Sequence, residues 1–180
     1  MSIKRKPNRL KEYNYSQNGA YFITICTIDR KCIFGTVVQK TNNPVGAAIC
    51  RPKLSRFGAL VEAKILLIPQ TYEGVYVDYY VVMPNHIHII IFIDALDHGR
   101  QAGRNAKGAL LLAQASRIAA PTISRIIGNF KRAVSIEFGF SPWQKSFHDH
   151  IIRNDADYNL IAECIQHNPA RWREDRYYTL

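Results

Sequence analysis

The sequence predicts an α+β domain in which an antiparallel sheet carries helices on one face. One observation is a pair of segments, residues 75–83 and 86–93, which are rich in β-branched residues and are separated only by Pro84-Asn85. So short a link favours antiparallel neighbours. The other observation is that strand-like and helix-like periodicities alternate along 180 residues, a length that suits one domain with its own core.

The elements on either side of this pair follow from their apolar patterns. Residues 21–27 are rich in aromatic and β-branched side chains and predict a buried strand. Residues 55–68 have apolar positions at helical spacing, and we expect Pro69 to end that helix. Pro121-Thr122 opens an amphipathic helix, whose inner stripe consists of Ile123, Ile126, Ile127, Phe130 and Val134.

The C-terminal part adds one strand and one helix. Residues 147–152 predict a short strand, and residues 155–166 predict a helix with Asn154 as its N-cap. The order is therefore strand, helix, two antiparallel strands, helix, strand, helix. This is the split β-α-β arrangement of a ferredoxin-like sheet, with an added C-terminal helix.

We place the predicted single domain at residues 19–180, with a basic arm before it and a long loop within it. Residues 1–18 form a basic arm with Lys4, Arg5, Lys6 and Arg9, which either lies along phosphates or is a solvated tail. Residues 94–120 combine glycines and arginines and predict a long mobile connection, which in a small domain is usually functional or disordered.

The charge balance indicates a polyanionic partner. The chain has 24 Lys and Arg against 14 Asp and Glu, a net charge of +10, and nucleic acid is the commonest polyanion that such a field attracts. The four cysteines form no CxxC pair, which argues against a zinc ribbon or a disulfide scaffold. No apolar run approaches the roughly 20 residues of a membrane span. We therefore expect no membrane partner and a cytoplasmic, reducing location.

Two small clusters could carry chemistry. His86 and His88 are two apart on a predicted strand, so both imidazoles face one way and can hold a divalent ion; otherwise they are two half-exposed strand residues. Cys164 and Asn168 are four apart and share one face of the last helix. The side-chain carbonyl oxygen of Asn168 is either a neutral metal ligand, or Asn168 only caps the helix before Pro169.

Five segments together resemble the REP-associated tyrosine transposases, which are single-tyrosine HUH nucleases. They are RLKEYNYSQNGAYFITICT, PNHIHIII, APTISRIIGNFKRAV, WQKSFHDHIIRNDADY and IQHNPARW, in that order along most of the chain. The resemblance implies a ferredoxin-like domain that binds single-stranded DNA beside a hairpin of the repetitive extragenic palindrome type. It implies that His86, His88 and Asn168 hold Mg²⁺ or Mn²⁺ on the scissile phosphate, and that a tyrosine attacks to give a 5′-phosphotyrosine.

The chain departs from this family at the nucleophile. Cys164 stands where the family has its tyrosine, four residues before Asn168. One interpretation is a non-catalytic, domesticated protein that binds a DNA hairpin without cutting it. A second is that Tyr158 substitutes, although it lies about 120° around the helix from Cys164. A third is attack by Cys164 itself or by a metal-bound water.

Other residues suit contacts with DNA. We expect phosphate contacts from Lys131, Arg132, Arg153, Arg171, Arg173 and Arg176, and the resemblance favours His150 as a site-facing residue. Trp143, Phe147, Trp172 and Tyr177 either stack on unpaired bases or pack in the core. An RNA-binding ferredoxin-like module is disfavoured because its aromatic sheet motif is missing. The active unit is a monomer or a homodimer.

Overall fold

A computed structural model describes residues 18–37, 52–94 and 122–179 of the chain. The predicted basic arm with Lys4, Arg5, Lys6 and Arg9 lies outside the described residues, as does the predicted mobile connection beyond Asp94. Among the described residues, no helix is long and apolar enough to cross a membrane.

The described residues form a main sheet of four strands. These are β1 (Gly19–Cys26), β4 (Val75–Val82), β5 (His86–Ile93) and β6 (His148–Ile152), in the order β4-β5-β1-β6, and every neighbouring pair is antiparallel. The two-residue strands β2 (Gly35–Thr36) and β3 (Lys53–Leu54) pair separately. This order is the one that a split β-α-β arrangement produces, so the predicted fold class is confirmed.

Four α-helices accompany the sheet in the described part of the chain: α1 (Arg56–Leu66), α2 (Ile68–Thr71), α3 (Ile123–Phe138) and α4 (Asp155–His167). The prediction that Pro69 ends the first helix was wrong in detail. The helix ends at Leu66, and Pro69 lies in the first turn of α2. The backbone N–H groups of a first turn have no carbonyl partner within the helix, so the missing N–H of proline costs no hydrogen bond there.

The two faces of the sheet bury different partners. Alternation along β5 sends Ile87, Ile89 and Ile91 into the main core, where α1 and α3 pack. His86, His88 and Ile90 point to the opposite face, where α4 packs with Ile161 and Ile165. The added C-terminal helix α4 therefore covers the face that carries the two histidines, and α3 packs on the other face of the sheet.

The start of α4 is fixed as predicted. The Asn154 side chain accepts a hydrogen bond from the Asp157 backbone N–H at 2.9 Å, which satisfies one of the free donors of the first turn. Asp155 and Asp157 lie in that turn, where the helix dipole stabilises negative charge. The cap thus places the Asp157 carboxylate directly after β6.

Candidate metal and nucleic-acid site

The paired histidines of β5 meet side by side. Their Nε2 atoms are 3.1 Å apart, and both rings are almost fully buried. The spacing of two residues on a strand directs both imidazoles to one face, as the sequence predicts.

Each imidazole is held through its other nitrogen. The Asn85 amide nitrogen donates to the backbone carbonyls of Tyr177 at 2.8 Å and Arg30 at 3.1 Å, so the amide oxygen is the atom that faces His86. His86 Nδ1–H therefore donates to Asn85 Oδ1 at 2.9 Å, and the lone pair is on His86 Nε2. His88 Nδ1 shares a hydrogen bond of 2.8 Å with the Thr24 hydroxyl.

Both histidines are neutral at physiological pH. Burial lowers the pKa of His86 to about 3, with Arg176 and Arg30 adding to the effect. Burial, and then the neighbouring His86, hold the pKa of His88 well below its usual range. Neutral imidazole is the form that binds a metal ion, so no proton has to be removed first.

Two oxygen atoms complete a set of candidate ligands. Asp175 Oδ2 lies 3.6 Å from His86 Nε2, and the ligand atoms of His86, His88 and Asp175 lie within 4.8 Å of one another. Asn168 Oδ1 is buried without a hydrogen-bond partner among the described residues. Imidazole nitrogens with carboxylate and amide oxygens are a donor set that fits Mn²⁺ or Mg²⁺.

Asp175 is a residue that the sequence reading missed. It follows the last helix in a segment without periodicity, RWREDRYY, where nothing distinguishes one carboxylate from its neighbour Glu174. Asn85 and Thr24 were missed as well, although Asn85 directly precedes the histidine pair.

A cavity of about 500 Å³ opens beside the histidines. Asn168 and His88, two of the ligands predicted from the sequence, line it together with Asp175. The third predicted ligand, His86, is not among the described lining residues and contacts His88. The rest of its lining is aromatic or polar and consists of Phe22, Thr24, His148, Asp149, His150, Arg176 and Tyr177. His148 and His150 are exposed, so the cavity reaches solvent along β6.

The C-terminal segment packs over His86. The rings of Tyr177 and Trp172 have their centroids 4.7 Å and 5.9 Å from that of His86, and both residues are buried. Trp143 is buried in the main core, and Phe147 packs against it. For these four aromatic residues the structure therefore shows packing, and Tyr177 also forms one wall of the cavity.

The predicted DNA-contacting residues are spread over several surfaces. The Lys131 ammonium donates to the backbone carbonyls of Gln144 at 2.7 Å and Lys145 at 3.3 Å, and burial lowers its pKa. Arg132 is exposed on α3, which lies on the sheet face opposite the histidines. Exposed arginines flank α4 in the chain: Arg153, Arg171 and Arg173.

The two nucleophile candidates lie apart from the cavity lining. Cys164 is an exposed free thiol on α4 and is not among the described residues that line the cavity. The Tyr158 hydroxyl donates to Asp78, and its ring packs 6.0 Å from Phe92. Phe92 is four residues along β5 from His88, a distance of roughly 13 Å.

An uncharacterized protein of Haemophilus influenzae is 34% identical to the chain over 179 residues, which cover 97% of this chain and 93% of that protein. The chain belongs to the family of this protein. No family model matches the sequence. Among solved structures, a REP-associated tyrosine transposase bound to a REP hairpin is similar, with a TM-score of 0.55 and 18% identity over 96% of this chain and 74% of that one. At this identity the likeness shows a shared fold.

Proposed function

We propose that the chain binds single-stranded DNA beside a hairpin and cleaves it with a divalent cation, Mg²⁺ or Mn²⁺. The observation that carries the proposal is that the neutral His88 and the Asn168 oxygen, which has no partner among the described residues, line one cavity, with the neutral His86 in contact with His88. We assign His86, His88 and Asn168 as metal ligands, as the resemblance implies, and add Asp175 from its position beside His86.

The cation would polarise the scissile phosphate and offset the charge that develops on it. Other groups of the protein already hold the two histidines in the form that binds a cation. Asn85 and Thr24 orient the two rings, and burial keeps both rings in the neutral form that leaves lone pairs for a cation.

Charge and exposure support DNA as the partner. The net charge is +10, and Arg153, Arg171 and Arg173 are exposed around the helix that borders the cavity. We assign phosphate contacts to them and to the N-terminal arm, and we expect the contacts to weaken with salt. We omit Lys131 because its ammonium already holds two backbone carbonyls. The fold shared with a hairpin-bound transposase favours a DNA hairpin over RNA, and we place the activity in the cytoplasm, on nucleoid DNA.

The proposal does not include a covalent step in the unmodified chain. Joining through a 5′-phosphotyrosine needs a tyrosine, and position 164 is an exposed cysteine. Tyr158 is no substitute, because its hydroxyl is bonded to Asp78 and its ring packs beside Phe92. A thiolate is a poor nucleophile toward a phosphodiester, so we assign no attack to Cys164.

A second function, non-catalytic binding of DNA hairpins, is favoured by the same cysteine. One experiment separates the two. The chain and His88→Ala are incubated with an end-labelled DNA hairpin that carries a single-stranded extension, with Mn²⁺ or with a chelator. Cleavage that requires both Mn²⁺ and His88 supports the nuclease; binding without cleavage under every condition supports the second function. An RNA hairpin of the same sequence serves as the specificity control.

A further inference from the structure

A third histidine of the cavity has its own carboxylate partner. His150 Nε2 lies 2.9 Å from one oxygen of Asp157 and 3.2 Å from the other. A carboxylate only accepts hydrogen bonds, so Nε2 carries the hydrogen and donates it to Asp157. The neutral ring then keeps its lone pair on Nδ1. This is the arrangement by which a carboxylate fixes the tautomer of a histidine base.

The start of α4 holds the carboxylate in place. The Asp157 backbone N–H donates to the cap residue Asn154, so Asp157 sits in the first helical turn. The hydrogen bond from His150 lowers the pKa of Asp157, as does the backbone N–H of Arg153. Asp157 is therefore ionised at neutral pH and can stabilise the imidazolium that forms when His150 accepts a proton.

Sheet register places this pair across the cavity from the metal ligands. Thr24 of β1 is paired with His88 on one side and with His148 on the other, and Phe22 is paired with His150. His88, Phe22 and His150 all line the cavity. Strands β5 and β6 are separated by β1 and thus lie about 10 Å apart. A phosphate group beside His88 and a water attacking it can together span that width.

We propose that His150, positioned by Asp157, is the general base that activates water for hydrolysis of the DNA strand. This rests on the proposed nuclease function and assigns the nucleophile that Cys164 cannot supply. The water oxygen bonds to phosphorus, its proton passes to His150 Nδ1, and the P–O3′ bond breaks. The leaving 3′ oxygen takes a proton from solvent, so the products are a 5′-phosphate and a 3′-hydroxyl.

His148 provides a matched control. It lies two residues earlier on the same strand and face and lines the same cavity, but no described carboxylate is bonded to it. A loss of activity caused only by altering the cavity wall would affect His148→Gln and His150→Gln alike. A loss caused by removing the base affects His150→Gln alone.

The test compares the unmodified chain with His150→Gln, Asp157→Asn and His148→Gln on a labelled DNA hairpin in Mn²⁺. We expect His150→Gln to cleave at least about 100-fold more slowly, the range that general bases contribute, while hairpin affinity measured by fluorescence anisotropy is unchanged. Asp157→Asn should lose less, and His148→Gln should cleave normally. Added imidazole should restore cleavage to His150→Gly, and reaction in ¹⁸O-labelled water should place one ¹⁸O in the new 5′-phosphate.

The outcomes separate this inference from the function on which it rests. Cleavage by His150→Gln at the normal rate, or a covalent protein–DNA adduct of the unmodified chain, would overturn the role of His150 and leave the nuclease in place. Hairpin binding without any cleavage by the unmodified chain would overturn both the nuclease and the base. Equal losses of cleavage rate in His148→Gln and His150→Gln would also rule out His150 as the general base.

Discussion

The Nε2 atoms of His86 and His88 lie 3.1 Å apart, and a backbone-anchored amide fixes the His86 lone pair on the side that faces His88. Two imidazole nitrogens at this distance can both contact one cation placed to one side of them. Asp175 Oδ2, 3.6 Å from His86 Nε2, adds a negative charge beside them.

We predict that Asp175→Asn weakens Mn²⁺ binding by at least about 10-fold, because it removes the one carboxylate that the described residues contribute to the cluster but keeps the shape of the side chain. His88→Ala should abolish detectable binding. Isothermal titration calorimetry measures both affinities. Glu174→Gln is the matched control, since Glu174 is the neighbouring carboxylate and is exposed. Equal affinities for Asp175→Asn and the unmodified chain would remove Asp175 from the ligand set.

The metal-free protein should lose stability in acid. The pKa of His86 is lowered from 6.5 to about 3, so below pH 6.5 this histidine binds a proton in the unfolded chain but stays neutral in the folded chain. Stability from this group is therefore complete above pH 6.5 and falls by up to about 1.4 kcal/mol per pH unit toward pH 3. The buried His88 acts in the same direction. Urea unfolding at a series of pH values, with chelator present, measures the slope. A free energy of unfolding that stays constant across this range would contradict the buried neutral pair.

The cysteines should differ in reactivity. Cys26 is buried, which raises its pKa to about 11, whereas Cys32 and Cys164 are exposed. Because the thiolate is the reactive form, iodoacetamide at neutral pH should alkylate Cys32 and Cys164 and leave Cys26 unmodified. Mass spectrometry of the labelled peptides identifies the sites, and labelling in denaturant shows that Cys26 reacts once it is exposed. Fast labelling of Cys26 in the folded protein would contradict its burial beside the histidine face.

The fold was predictable because local patterns agree with the tertiary structure. The inner stripe from Ile123 to Val134 is buried as expected, and Asn154 caps α4. The break at Leu66 was not predictable, since a proline ends a helix or begins a new one according to the packing around it. Predictions for the basic residues depended on charge alone, and charge does not reveal that Lys131 binds backbone carbonyls.

Part of the site was predictable because it, too, depends on a local sequence pattern. The histidine pair is local in sequence, so the strand spacing alone indicates that the two rings share a face. Asp175 reaches His86 across 89 positions of the chain, through a C-terminal segment whose path depends on Trp172 and Tyr177 packing. No spacing rule describes such a contact. The hydrogen bond between His150 and Asp157 likewise depends on the direction in which the chain turns from β6 into α4.

The last prediction is that Cys164→Tyr gains a covalent step. Position 164 lies one helical turn before Asn168, on the same face of α4, which is where the resemblance places a tyrosine nucleophile. A phenol there should attack the scissile phosphate in place of water and remain attached to the new 5′ end. We expect a protein–DNA adduct in Mn²⁺ that survives denaturing electrophoresis and disappears with chelator. Cys164→Phe supplies the ring without the hydroxyl and should form no adduct, and His88→Ala in the Cys164→Tyr background should also form none. If Cys164→Tyr binds the hairpin but yields no adduct, position 164 does not face the phosphate, and the correspondence with the tyrosine of the transposases fails at that residue.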